Sequence, residues 1–157
     1  MTPSSPAHSV ATMTTTTQSV SWPLVLGLGA FALIRPVTRI VATQLAVDLP
    51  TLVPLALTVV ITTVWVAVVG LGRTSSPVLT LLFSGLTYAL LSLVVSGVVS
   101  PILDGELRGP LASPAAIIPF LALNAGWGLL AGFLALGVQR ARDARGGAGP
   151  RTRPEEW

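Results

Sequence analysis

Arg35 and Arg39 are the residues of this chain whose type and spacing invite chemistry. They stand in Phe31-Ala-Leu-Ile-Arg35-Pro36-Val-Thr-Arg39-Ile40, a run that is otherwise mostly apolar. Two guanidinium groups four positions apart fall on nearly the same face of a helix. There they can hold an anion together through charge-assisted hydrogen bonds. A helix entering at Ser21-Trp22-Pro23 and rising about 1.5 Å per residue places Arg35 past the middle of a hydrocarbon layer about 30 Å thick. Ionisable groups at such depth cost free energy and are functional candidates for that reason. A structural alternative stands beside this one: Arg39 snorkels to the far interface, and Arg35 pairs with a nearby carboxylate.

Other chemistries lack their parts. The chain has no cysteine and no lysine, and its single histidine, His8, lies in a Ser/Thr/Pro-rich leader. Acidic residues fall only in predicted loops and the tail, and the serines have no partner base. Gly27-Leu-Gly29 does not extend to a phosphate-binding fingerprint. No catalytic residue, cofactor or metal is therefore expected, and the chain is read as no enzyme. The net charge of +3 comes from an arginine-rich tail on an apolar body, without the basic folded face that nucleic-acid binding needs.

The elements that must carry these arginines follow from charge and hydropathy. Of the 157 residues, only 10% are charged and 52% are hydrophobic, whereas soluble domains carry about a quarter charged residues. The mean hydropathy is +0.79. Residues 49–72, 74–103 and 109–139 contain no charge at all, and about 20 apolar residues suffice for one crossing. The expected fold is all-α, an integral membrane four-helix bundle with flexible termini. Its spans are placed at about 21–47, 51–72, 77–100 and 114–139, within a domain of 21–145. The flanking tails, 1–20 and 146–157, are expected to be disordered. The first tail has no positive segment before the first apolar run, so that run is read as a retained anchor.

Start signals recur. Ser21-Trp22-Pro23, Ser76-Pro77 and Ser113-Pro114 each offer a capping oxygen and a proline suited to the first helical turn. Asp48 stands just before the second helix, where a carboxylate complements the helix dipole, and Asp104-Gly105 marks a turn. Pro36 removes a helical hydrogen bond to Ala32 and should bend the first helix. From sequence, residues 37–47 either complete that span or lie in the interface.

Two patterns bear on packing. Ser84, Tyr88, Ser92, Ser96 and Ser100 recur every four residues, which lines one drifting face of the third helix. Such a stripe can line a permeation path, but it more often serves as a helix-packing seam. In the fourth helix Asn124, Gly128 and Gly132 share the same spacing, and Gly-xxx-Gly lets backbones approach closely. Asn124 is expected to bond across to a neighbouring helix. Ser92, Ser96, Asn124, Gly128 and Gly132 are the predicted packing residues.

Four spans put both ends on one side. With the termini in the cytoplasm, six arginines lie inside, Arg73 and the five of the tail, and three lie outside. The reverse threading breaks the positive-inside bias, so a multi-pass cell-membrane protein with both termini cytoplasmic is expected. The outer side then holds Arg35, Arg39 and Arg108 against Asp48, Asp104 and Glu106. Mutual neutralisation is expected, and Arg35, Arg39, Asp48, Asp104 and Glu106 form the candidate cluster. In helix count the chain is similar to the small multidrug transporters. Those depend on a glutamate in their first helix, where this chain carries arginine.

The expected role is a non-enzymatic accessory or structural bundle in the lipid bilayer, associating through its third and fourth helices with a second copy or another membrane protein. The alternative is a small oligomeric channel or transporter with an anion path along Arg35 and Arg39. A third option is a subunit of an enzyme whose chemistry resides in another chain.

Overall fold

The computed structural model describes residues 20–107 and 109–146, with only the backbone of Asp104. Apart from Val20 and Gly146, both predicted tails lie outside the described residues. Helices α1 (Trp22–Ala32), α2 (Ile34–Gln44), α3 (Leu52–Leu71), α4 (Pro77–Asp104) and α5 (Pro114–Gly146) follow in order, with a 3-10 turn at Gly109–Ala112 before α5. The fold is an all-α bundle. Four helical stretches are long and apolar enough to cross a membrane: α1 and α2 together, α3, α4 and α5.

The first crossing is two helices meeting at Leu33. Proline at position 36 has no N–H to give Ala32 and its ring crowds the preceding turn. Leu33 stays right-handed (φ −63, ψ −14) and donates to Ala30 O at 3.0 Å, so the helix tightens there without unravelling. Residues 37–44 then continue as helix α2. Its end is closed by Val47 N–H bonding to Ala42 O at 2.9 Å, with Ala46 left-handed at φ 54. Glycine is the usual residue at that position of such a cap.

Several boundaries differ from the sequence reading. α4 passes through Pro101 and ends at Gly105, whose φ of 73 and N–H to Pro101 O form its cap; a proline near a helix end forfeits one bond only, to a single carbonyl. α5 continues well past 139, so Arg140, Arg142 and Arg145 ride on helical turns. The N-cap of α3 is Thr51, and Asp48 stands apart from it. At Ser21 the first N–H groups bond to the backbone carbonyl, not the hydroxyl.

α4 is the centre of the arrangement. It lies parallel beside α1 and antiparallel against α5, while α5 runs parallel with α3. The α4–α5 seam is drawn close by two glycines. A Cβ on Gly128 would sit 2.4 Å from Leu81 O, and one on Gly132 would sit 2.7 Å from Val78 Cα. Trp22 and Phe83 rings, 5.7 Å apart, mark the contact of α1 with α4. Trp65 on α3 reaches α1, its indole N–H donating to Leu28 O at 3.1 Å.

Burial is concentrated in one half of the bundle. The core cluster is Leu28, Ala32, Ile61, Trp65, Val69, Leu81, Ala131 and Ala135. These come from α1, the second half of α3, the first half of α4 and the second half of α5, which we call the closed half. In the other half, formed by α2 and the remaining parts of α3, α4 and α5, Ala42 is the one buried hydrophobic residue among those described. There the helices splay.

Candidate functional site

Where α2 leans away from α3, two adjoining clefts open, of about 650 Å³ and 420 Å³. Arg35, Pro54 and Tyr88 belong to both and mark their junction. The outer, larger cleft is polar along its α2 wall, with Arg35, Thr38, Arg39 and Thr43, and Asp48 closes it from the α2–α3 loop. The inner cleft is chiefly apolar, walled by Leu55, Ile61, Trp65, Leu123 and Trp127. Both volumes fall in the range of roughly 300–1,000 Å³ typical of small-molecule sites.

α2 positions the arginines through its two-faced sequence. Positions 35, 38, 39 and 42 fall on one face, and Ile34, Val37 and Val41 on the other remain exposed. The threonines are satisfied locally: Thr38 donates to Ile34 O at 2.6 Å and Thr43 to Arg39 O at 3.0 Å. They place no competing donor demand on the arginines. Along the α3 wall, Thr58 donates to Pro54 O and Thr62 to Thr58 O, and Trp127 N–H donates to Thr62 Oγ1 at 3.0 Å. The polar groups on that chiefly apolar wall thus spend their donors on other protein groups.

The expected ion-pair cluster does not form as such. Arg35, Arg39 and Asp48 share the outer cleft, and all three are exposed. Among the described residues no ion pair joins them, and their side chains keep their hydrogen-bonding capacity for something else. Asp48 sits on the loop beyond the turn at Ala46 and faces the same cleft without an ion pair to either arginine. Glu106 is exposed after the end of α4 and lines neither cleft with the arginines. Arg108 and the side chain of Asp104 lie outside what is described. Arg39 also borders a third cleft, of about 280 Å³, with Val99, Ser100 and Leu103.

The predicted packing residues divide. Gly128 and Gly132 lie in the α4–α5 seam within one chain, so their close-approach surfaces face an internal partner. Asn124 is half-buried and donates to Phe120 O of its own helix at 2.7 Å. The expected bond to a neighbouring helix is not made; Asn124 borders the inner cleft instead. Ser92 is half-buried with an enclosed hydroxyl that has no hydrogen-bond partner, and Ser96 lies beside Gly109. The serine stripe thus starts in the core, where Ser84 donates to Thr80 O, passes the clefts at Tyr88 and ends beside Arg39 at Ser100.

Sequence reasoning misses four contributors. Tyr88 was seen only as part of a stripe, although it stands at the junction of both clefts. Thr58 and Thr62 are four residues apart on α3, a spacing that signals a shared face. Trp127 finds its partner 65 residues away, and no local pattern indicates that.

Among the described residues the charged groups lining the two clefts are two guanidiniums and one carboxylate, one positive charge in excess. Such a site attracts an anion and can grip it with planar, forked donors. No nucleophile–base pair lines it. Among the described residues there is also no group of histidine, aspartate and glutamate suited to a metal. No family model, curated protein or solved structure matches the chain.

Proposed function

We propose that this four-helix chain is a non-enzymatic accessory protein of the membrane that binds an anionic group at Arg35 and Arg39. One observation carries the reading: the two arginines share an open cleft of about 650 Å³ without an ion-pair partner. Keeping two unpaired cations in a small apolar bundle costs free energy, and a bound anion offsets that cost. The closed half provides the anchorage, and the splayed half is the binding part.

The same arginines favour a second reading, an anion path. The inner cleft, however, ends on Ala32, Ile61 and Trp65, all members of the buried core cluster. A path through a single chain would have to cross that layer, so binding is the better supported role. Self-association or a membrane-protein partner is part of the proposal. It would use faces other than the glycine seam, which is occupied within the chain.

Orientation is proposed from charge, with both termini in the cytoplasm of a cell membrane. A cytoplasm-dependent reporter should be active when fused after Arg145 and silent when inserted at Gly105. The functional test uses vesicles reconstituted with purified protein. Anion binding that disappears in the Arg35→Ala, Arg39→Ala variant, with no anion flux from the unaltered protein, is the expected result. Flux that depends on Arg35 would move the assignment to a conducting role.

A further inference from the structure

We infer that the anion held at Arg35 and Arg39 is the head of a single-chain amphiphile whose hydrocarbon tail lies in the inner cleft. The inference rests on the proposed anion-binding role and names the class of ligand. Its basis is the division of labour between two spaces that meet at Arg35, Pro54 and Tyr88. One space carries the charge: Arg35 and Arg39, with Thr38 and Thr43 beside them. The adjoining one carries no further ionisable group apart from Tyr88, and its larger walls are Leu55, Trp65, Leu123 and Trp127.

A small inorganic anion would use the first space and leave the second without an occupant. A neutral hydrocarbon would use the second and leave two guanidiniums unneutralised. A molecule with one anionic end and one apolar chain satisfies both, and the apolar transfer adds to the charge-assisted hydrogen bonds. Polar groups of the inner cleft do not oppose the tail. The hydroxyls of Thr58 and Thr62 are turned back onto α3 carbonyls, the indole N–H of Trp127 is taken by Thr62, and the Asn124 amide donates to its own helix. The threonines and Trp127 thus present mainly hydrocarbon to the cleft, and beyond the junction Asn124 is its most polar wall residue. Tyr88 alone stands at the junction with an unpartnered hydroxyl, at the height where head meets tail.

The access route is lateral. The clefts are walled on one side by α2 and on the other by the first half of α3, where Leu55 of the inner cleft is exposed. An amphiphile already in the leaflet can slide its chain between these walls while its head stays at the level of Arg39, nearer the end of α2.

The test uses the full chain in nanodiscs of zwitterionic lipid, with a long-chain fatty acid brominated on its tail as the probe. Bromine quenches tryptophan on contact, and Trp65 and Trp127 wall the inner cleft. The expected result is saturable quenching, with about tenfold or more weaker apparent affinity in Arg35→Gln, Arg39→Gln, the scale of losing hydrogen bonds to a charged group. Leu123→Trp, which fills the inner cleft, should weaken the fatty acid but leave inorganic phosphate binding unchanged. An unaltered melting temperature for each variant in detergent shows that the closed half is intact. Phosphate bound as tightly as the fatty acid would overturn the amphiphile and keep the anion-binding role. Neither probe binding would overturn both. A brominated long-chain alcohol that quenches equally would show an apolar groove indifferent to the arginines, and would overturn the inference. Fatty-acid affinity unchanged in Leu123→Trp would also overturn it, since the tail would then lie elsewhere.

Discussion

The closed and open halves of the bundle are built from the same four helices and the same apolar alphabet, yet they solve their polar groups in opposite ways. In the closed half most costly groups are tied down, the buried Thr80 hydroxyl excepted. The last carbonyls of α3 have no partner within their own helix, and α5 supplies one from alongside. Gln139 donates to Val69 O at 2.9 Å and sits within 3.3 Å of Gly72 O and Thr74 O, while Arg142 donates to Leu71 O at 2.6 Å. Trp65 spends its N–H on Leu28 O, and glycines bring α4 and α5 within contact of backbone on backbone. In the open half the arginines stand in a cleft without an ion pair. A bundle with so little interior can be rigid at one end and receptive at the other, and this difference is what supports the proposal that the arginines serve a ligand.

The largest expected effect is at the glycine seam. Gly132→Leu or Gly128→Leu must force α4 from α5 and should cost about 3 kcal/mol or more, at the upper end of overpacking losses. Gly126→Leu, where nothing lies within 4 Å, should change stability by less than about 0.5 kcal/mol. Thermal unfolding in detergent compares them, and equal losses would remove the seam from the account.

Gln139→Met comes next. It keeps the volume but leaves carbonyls of α3 without their donor, so a loss of about 1–2 kcal/mol is expected. The corresponding Asn124→Leu in the open half should cost less, because Asn124 donates only to its own helix.

Arg35→Ala is expected to change stability by under about 0.5 kcal/mol, as for surface substitutions, while abolishing anion binding. A structural ion pair would give the reverse: lower stability from an uncompensated partner charge. Ala46→Gly, which touches no ligand group, should gain up to about 1 kcal/mol, because Ala46 holds a φ of 54 that glycine adopts freely. A loss there would mean that the α2 cap contributes less than its geometry implies.

Much of the fold was legible in the sequence because crossing a bilayer is a coarse constraint. Length and lack of charge place four helices, and Pro36 marks the break in the first. Their ends were harder to read. Pro101 looks like a stop but costs one bond in a final turn. Of the site, Arg35 and Arg39 stood out because charge is rare here. Their lack of partners did not, since Asp48 is close in sequence and lines the same cleft, yet no ion pair forms there. Asn124 misled for a related reason: its need for a partner is readable, but whether α3 lies near enough is a tertiary matter. The outward lean of α2 and α3 that opens the clefts leaves no periodic trace at all.

Accessibility of single cysteines tests the contrast between the halves most directly, and the chain has no native cysteine to remove. Thr38→Cys, on the outer cleft, and Thr58→Cys, on the inner, are compared with Thr80→Cys and Ser84→Cys, whose parent side chains are fully buried. In reconstituted protein, a small maleimide should modify the first two rapidly and leave the last two unmodified until the bundle is unfolded. Prior addition of the fatty acid should protect Thr58→Cys. Equal reactivity at all four positions, or protection of Thr38→Cys and Thr58→Cys without any ligand, would contradict a bundle that is closed at one end and open at the other.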